Sequence, residues 1–570
     1  MQKFKQIVSE KALDAIKSVF SDAVISSDEL ASMLEYPPDT TMGDLALPCF
    51  KLSKTLRRSP VQIAQIIAEK LVDFSIKKAE AVNGYLNISI SDDYLCSVLC
   101  DEVLANGNQY GSADFGKGKT VVLDYSSPNV AKPFHIGHLG TTVIGHSLKK
   151  LHEFVGYDCV GINYLGDWGT QFGKMIVAYK KWGDREAINE GGIDKLVELY
   201  VKFHHAAEED SALNDEARAE FHKLELGDEE NISLWKWFIE ISVAEYKKTY
   251  AQLGIEFDSY KGESFYTDKM PAQVQKLRDM GLLKIDDGAS IVDLEEYNMP
   301  PCLILKRDGS TLYPTRDIAA AVYRKQTYDF DKAIYVTSAG QSLHFAQWFK
   351  VVELMQYGWH DKLVHVPYGT VSINGAKLAT RTGNVILLKD LFAQAIEKVS
   401  EIMDEKNPNL ENKEKVAEAV GVGAIVFYYL SSNRIRDINF VLEDALSFDG
   451  NTGPYVQYTY ARTCSLIEKA KEKELDGKVV FTSDDERELV KTLARFPEKV
   501  LEALDLYEPS VVTRYILDVA TAFNRFYHNC QILSATDSDV LSTRVALTKA
   551  TNYVLGNAFE LICLKKTEKI

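Results

Sequence analysis

Two histidines three residues apart, His135 and His138, close the run SSPNVAKPFHIGH that begins at Ser126. At this spacing two imidazoles share one side of a helix start, and Pro133 suits a first helical turn. Such a pair can be structural, can hold a metal together with His146 or His152, or can donate hydrogen bonds to a phosphate at the positive end of a helix. Gly137, between them, leaves room for a nucleotide to lie against the backbone. Donors placed there would stabilise an α-phosphate whose charge grows during displacement, and loss of one such donor typically costs on the order of 100- to 1000-fold in rate. No cysteine or carboxylate stands close enough in sequence to suggest a metal cluster, so no metal ligand is expected.

The elements that must position the pair decide the matter. TVVLDYSS reads as a strand ahead of the loop, and DCVGINYLG as a second strand. Between them Ile136, Leu139, Val143, Leu148 and Leu151 recur at helical steps. This is the βαβ opening of a doubly wound sheet, whose first turn binds nucleotides, and it selects phosphate binding. The chain from about 180 to 293 reads as a charged, mostly helical insertion, after which strand-like segments return at CLILK, AIYVTS and LVHVPYG.

Ahead of FGKGKT, which reads as a linker, residues 1–118 pattern as a small α/β unit, with helical periodicity at 1–20 and 60–72 and a strand at 84–90. In it KLSKTLRRS would place Lys51, Lys54 and Arg58 on one helical face, either solvated or in contact with a phosphate backbone. Beyond 388 the helical spacing of 413–430, 454–474, 484–506, 510–528 and 541–562 predicts a bundle. The expected fold class is multidomain α/β plus α: an N-terminal unit 1–118, a Rossmann-like catalytic domain 119–390 with the insertion, and an all-α domain 391–570.

Bulk properties fit a folded chain, with 570 residues, 46% hydrophobic and 26% charged. The formal net charge of −17 argues against indiscriminate polyanion binding but leaves room for a local basic face. No run is apolar enough to cross a membrane, and the first residues lack a signal peptide's apolar centre, so a cytoplasmic protein is expected. The eight cysteines are scattered and suggest neither disulfides nor a zinc site.

HIGH in this place resembles the signature of class I aminoacyl-tRNA synthetases, and its flanks make the resemblance specific to the arginyl-tRNA synthetase family. SSPNVAKPFHIGHL, YLGDWGTQFG from Tyr164, LYPTRD from Leu312, QSLHFAQ from Gln341, TRTGN from Thr380 and LSFDGNTGPYVQYTYAR from Leu446 all carry it, as does PPDTTMGDLA from Pro37. The resemblance implies ligation of L-arginine to tRNA(Arg) through an arginyl-adenylate, with ATP and Mg2+ and without zinc, in a monomer that binds no DNA and no membrane. It implies that tRNA must be bound even for the first step. Ser127, His135, Gly137, His138 and Lys377 would meet ATP, and Asp124, Asn129, Tyr313, Asp317 and Gln341 would line the arginine pocket. These types suit a planar fork of five donors and an α-amino group. The N-terminal unit, with Lys51, Lys54 and Arg58, would hold the outer corner of the tRNA. Tyr455, Tyr458, Tyr460, Arg462, Asn524, Arg525 and Tyr527 offer stacking surface and charge for the anticodon loop, although an aromatic stripe is often core.

Two departures stand out. The usual Lys-Met-Ser-Lys-Ser loop reads Lys377-Leu-Ala-Thr-Arg381, without its second lysine, and Lys132 or Arg381 is expected to supply the missing charge. Gly140 replaces the arginine common after HIGHL, and Asp124 replaces a glutamate. Two other readings remain: a nucleotidylyltransferase with an HxGH helix start, and a non-catalytic, synthetase-like tRNA-binding protein.

Overall fold

The structure, a computed structural model, describes residues 1–377 and 386–570, with Thr40, Ala376 and Lys377 described by backbone alone. Its centre is a parallel sheet built from β1 (Thr120–Asp124), β2 (Asp158–Ile162), β3 (Lys332–Ser338) and β4 (Leu363–Tyr368), in the order β4-β3-β1-β2. Val122 of β1 lies opposite Val160 of β2 and Ala333 of β3. Three helices cover it: α1 (Leu139–Phe154), α2 (Tyr313–Tyr328) and α3 (Ser342–Leu354). Alternation along the strands divides the core. Val121, Leu123, Ile334 and Val336 pack with Leu139, Val143 and Leu148 of α1. Val122, Ala333 and Tyr335 pack with Ile318, Ala321 and Val322 of α2 and Trp348 of α3. Both faces are buried, which is why the strands read as continuous apolar runs. β1 continues through α1 to β2 on one side and has β3 on the other, so the carboxyl ends of β1 and β3 flank a switch point.

Several expectations need correction. Pro133 does not open a helix: a 3-10 turn spans Ile136–His138 and α1 begins at Leu139. CLILK forms a strand, as its pattern predicts, but outside the parallel sheet: Cys302–Leu305 pairs antiparallel with Ala289–Val292, which pairs with Leu283–Asp286, in a small separate sheet. Before it lie the helices Arg185–Glu209, Ala212–Glu225, Glu229–Leu253 and Met270–Asp279. The expected boundary at 390 is crossed by Ile438–Phe440, which pairs in parallel with Val371–Ile373.

In the N-terminal unit Leu45–Pro48, Tyr85–Ile90 and Ile76–Val82 form an antiparallel sheet against the helices Gln2–Lys17 and Pro60–Lys70. The single helical face expected for Lys51, Lys54 and Arg58 does not form. Lys51 sits in a 3-10 turn and Lys54 in the four-residue helix Ser53–Leu56; Arg57 then turns left-handed, with φ 50°, leaving Arg58 beyond the helix end. The unit leans on the C-terminal helices through Asp44–Lys491 at 2.6 Å and Asp92–Arg487 at 2.8 Å. Those helices include Gly453–Ala470, Ser510–Asn529 and Ser538–Leu561, and the stretch expected at 484–506 is two helices, Asp484–Leu493 and Phe496–Leu506, the second with Pro497 in its first turn.

Candidate active site

The loop leaving β1 holds three non-glycine residues at positive φ: Ser126 at 72°, Ser127 at 44° and Ala131 at 59°. Each such conformation costs on the order of 1–3 kcal/mol and persists only where the surroundings impose it. Here they do. Thr141 Oγ1 accepts from the Ser126 amide at 3.0 Å, and the Ser126 hydroxyl lies 2.7 Å from that of Tyr250. Ser242 Oγ accepts from the Ala131 amide at 3.0 Å, and the Tyr246 hydroxyl is 2.7 Å from the carbonyls of both Asn129 and Lys132.

The two histidines use one nitrogen each to shape their own turn. The Gly137 amide donates to His135 Nδ1 at 3.1 Å, and the His135 amide donates to His138 Nδ1 at 3.2 Å. A ring nitrogen that accepts carries no proton, so each neutral imidazole bears its hydrogen on Nε2. Burial pushes His135 down to about 4 and His138 to about 3, with the neighbouring Lys132 ammonium acting in the same direction on both. At neutral pH these are therefore uncharged donors with a fixed tautomer. His138 stacks on Phe134, ring centroids 5.0 Å apart. Leu387 pairs with His135, and Ile386 O accepts from the Ile136 amide at 3.3 Å, so the chain that follows the second signature segment lies against the first. Of that segment, Arg381 lies outside the described residues, as does the side chain of Lys377.

Beside His138 a cavity of about 610 Å³ opens at the carboxyl ends of β1 and β3. Asp124, Asn129, Tyr313, Asp317 and Gln341 all line it, and so does Ser127. Its carboxylates come already partnered. Arg324 Nη1 donates to Asp124 Oδ2 at 2.7 Å and the Ser127 hydroxyl to Oδ1 at 2.9 Å. Arg316 pairs with Glu263, and His344 Nε2 donates to Asp317, each at 2.6 Å. Burial raises the Asp124 carboxyl, an effect Arg324 opposes, and lifts Glu263 to about 7 against the pull of Arg316. Tyr313, 65% exposed, stands at the mouth. The arrangement can hold a planar cation within reach of two neutral phosphate donors.

The chain matches the description "tRNA synthetases class I (R), catalytic domain" over residues 100–442, "Arginyl tRNA synthetase N terminal domain" over 8–90 and "DALR anticodon binding domain" over 456–570. The arginine–tRNA ligase of Alkaliphilus metalliredigens is 50% identical over 579 residues, covering all of both chains. That of Halothermothrix orenii is 47% identical, covering 98% of this chain and 99% of its own. The chain belongs to the arginyl-tRNA synthetase family. Its fold is that of the Thermus thermophilus arginyl-tRNA synthetase, with a TM-score of 0.82 at 23% identity and 99% of each chain covered. The Plasmodium falciparum arginyl-tRNA synthetase gives 0.81 at 24% identity, covering 99% of this chain and 98% of its own.

Within this family the glycine after HIGHL has a local cause. A Cβ on Gly140 would stand 2.1 Å from the hydroxyl of Tyr429, whose side chain is buried. Tyr429 fills the space that an arginine here would need. Gly166 is constrained in the same way, since a Cβ would meet Asn129 Oδ1 at 2.2 Å.

On the C-terminal helices the Arg462 guanidinium lies over the rings of Tyr458, at 5.0 Å, and Tyr527, at 4.6 Å, both partly exposed. Asn524 accepts from Arg462 and donates to Tyr455 and Thr459, so its amide is committed within the protein. Arg525 pairs with Asp485 at 2.7 Å. Tyr460 is core, 8% exposed. Lys51, Lys54 and Arg58 are exposed, Lys51 with Glu35 4.0 Å away.

Sequence reasoning missed Arg324, Glu263 and His344 as cavity residues, and Arg316 as the partner of Glu263. Arg324 had a signal: it falls two turns after Asp317 on one helical face, directly after the apolar run IAAAVY.

Proposed function

We propose that this chain ligates L-arginine to tRNA(Arg) in two steps, with ATP consumed in the first. The arginine α-carboxylate attacks the α-phosphorus of ATP, forming arginyl-adenylate and expelling pyrophosphate. A terminal ribose hydroxyl of the tRNA then attacks the adenylate's carbonyl carbon and AMP leaves. The observation that carries this reading is the meeting of Asp124, Asn129, Tyr313, Asp317 and Gln341 around one cavity beside His138.

ATP would lie along Gly137, with the Nε2–H groups of His135 and His138 turned to the α-phosphate. As the fifth bond to phosphorus forms, charge grows on the non-bridging oxygens, and two donors held in one tautomer stabilise it without reorganising. Lys132 would add a cation; its side chain is exposed at the turn, yet enough protein surrounds the ammonium to lower its pKa. Among the described residues no three His, Cys, Asp or Glu side chains gather to hold a metal. Mg2+ arriving with ATP would spread the negative charge of the phosphates. In the pocket Asp317 and Asp124 would accept from the guanidinium, with Tyr313 over it, while Asn129 and Gln341 orient the α-amino group.

The tRNA would meet the exposed Lys51, Lys54 and Arg58 at one end and the Arg462–Tyr458–Tyr527 stack at the other. An arginine held between two half-exposed rings offers both charge and a stacking platform to an unpaired base. We propose further that the protein acts as a monomer. No helix among the described residues is long and apolar enough to cross a membrane.

The test is charging of unfractionated tRNA with ATP, Mg2+ and each of the twenty amino acids in turn, with His138→Ala as control. Charging with arginine alone, lost in the control, is expected. Charging with another amino acid refutes the pocket assignment, and tight tRNA binding without charging refutes catalysis.

A further inference from the structure

Arg324 is among the largest fully buried side chains of the protein, 1% exposed, at the floor of a cavity assigned above to a cationic substrate. A buried guanidinium in a pocket for a guanidinium needs a reason. Its Nη1 bonds one oxygen of Asp124, and Ser127 bonds the other. Each carboxylate oxygen is thus pinned by one donor and keeps a lone pair for the cavity, which both residues line. Among the described residues Nε and Nη2 of Arg324 have no hydrogen-bond partner, and the guanidinium lies among the rings of Tyr164, Tyr266 and Tyr335 at 5.1, 5.9 and 5.7 Å. Asp124 is the carboxylate to which it is bonded.

We propose that Arg324 is a positioning residue for the substrate arginine: it keeps Asp124 ionised and aimed so that this carboxylate can accept from the substrate's guanidinium. The inference rests on the reading of Asp124 as a wall of the arginine pocket. Burial disfavours a charged carboxyl, and the groups facing Asp124 from the neighbouring elements do little to offset it. Asp317, on the same helix as Arg324, repels it; Tyr164, Tyr266 and Tyr335 are neutral phenols; Ser127 contributes one neutral hydrogen bond. Arg324 supplies the positive charge. Without it burial, with no positive charge to oppose it, raises the carboxyl further and favours the protonated form. A protonated Asp124 turns one acceptor into a donor and meets a substrate group that has only donors.

The experiment compares wild type, Arg324→Gln and Arg324→Lys in steady-state aminoacylation from pH 6.5 to 8.5, varying arginine and ATP separately. Arg324→Gln is expected to raise the KM for arginine about 100-fold, the order of loss for a misplaced binding group, with the KM for ATP within about threefold. In this variant kcat/KM for arginine should climb with pH toward about tenfold per unit as Asp124 loses its proton, while wild type stays flat. The double variant Asp124→Asn with Arg324→Gln should be flat again, because the titrating group is gone. Arg324→Lys, which keeps the charge but not the fork, should raise the arginine KM about tenfold without pH dependence. If Arg324→Gln is insoluble, Arg324→Lys decides: a selective rise supports the role, and an unchanged arginine KM overturns it. A flat profile in Arg324→Gln, or equal losses for arginine and ATP, also overturns it. No arginine charging by wild type overturns the pocket reading and this inference together; normal charging with a flat Arg324→Gln profile overturns the inference alone.

Discussion

Replacing His138 by asparagine and by glutamine separates the two jobs its ring performs. Nδ1 accepts the His135 amide at 3.2 Å and so caps the turn, while Nε2–H is free to donate. Asparagine places an acceptor where Nδ1 stands and nothing where Nε2 stands. Glutamine does the reverse. Loss of the cap costs about 1 kcal/mol, which in a domain of this size lowers the unfolding midpoint by about 2 to 4 °C. Loss of a transition-state donor costs about 2.7–4 kcal/mol of activation free energy, or on the order of 100- to 1000-fold in kcat. His138→Asn should therefore melt within about 1 °C of wild type yet turn over at least 100 times more slowly. His138→Gln should melt lower and keep kcat within about tenfold. Differential scanning fluorimetry and arginine-dependent aminoacylation read the two quantities independently. Because burial pushes His138 down to about 3, neither the wild type nor the comparison should show an acid limb from this group between pH 6 and 8. An asparagine variant as active as wild type, with a slow glutamine variant, would reduce the histidine to a cap and refute the donor role.

Lys132→Ala should lower turnover about 100-fold if its ammonium stands in for the missing lysine of the second signature; a change under about threefold in single-turnover adenylate formation rules that out. Gly140→Ala should destabilise the protein by about 1–3 kcal/mol through collision with Tyr429, and Tyr429→Ala should relieve it, as urea unfolding of the single and double variants would show. Stability should fall with acid. His135, His138, His146, His152 and His365 are held by burial at about 4, 3, 3, 4 and 4, below the ordinary histidine value. On unfolding they would take up protons, so their contribution is complete above about pH 6.5 and is lost as pH drops toward 4, by up to about 1.4 kcal/mol per pH unit for each. A urea midpoint unchanged between pH 7.5 and 5.5 contradicts this. Changing Lys51, Lys54 and Arg58 together to alanine should flatten the dependence of log K for tRNA on log salt by roughly 2 to 3, at about 0.7–0.9 per phosphate contact. An unaltered slope in filter binding removes these residues from the interface.

The parts of the fold legible in the sequence are those whose burial is decided locally. β1 shows itself because a strand buried on both faces is apolar throughout, and α1 because its large apolar residues recur at helical steps, although small and polar residues on its other faces are buried too. Cys302–Leu305 has the same appearance, yet it pairs with Ala289–Val292 rather than with the parallel sheet. A four-residue apolar run states that it is buried and not against what. Leu45–Pro48 went unseen because it ends in proline and has only four residues, and Ile76–Val82 because its lysines and glutamate face water. Arg57 ends the basic helix by turning left-handed, a choice that periodicity does not report.

The same distinction governs the site. His135, Gly137 and His138 are neighbours in the chain, so spacing alone announces them, although the structure adds that their Nδ1 atoms are spent on the turn and only Nε2 can act. Ser127, expected at ATP, gives its hydroxyl to Asp124. Asn524 and Arg525, expected at the tRNA, are tied to Arg462 and Asp485. In each case the residue type was legible and its partner was not, because a side chain's hydrogen bonds are settled by whatever folding brings beside it. Arg324 is the extreme instance: its place beside an apolar helical run is legible, but its partner is not, and its 1% exposure and its bond to Asp124 reveal that it balances charge inside the pocket. A cavity for a cation must hold carboxylates, and burying them costs most when they are unpaired. The cations that pair Asp124 and Glu263 follow from that cost, and so the substrate would be met by carboxylates already held in place rather than by bare charges waiting for it.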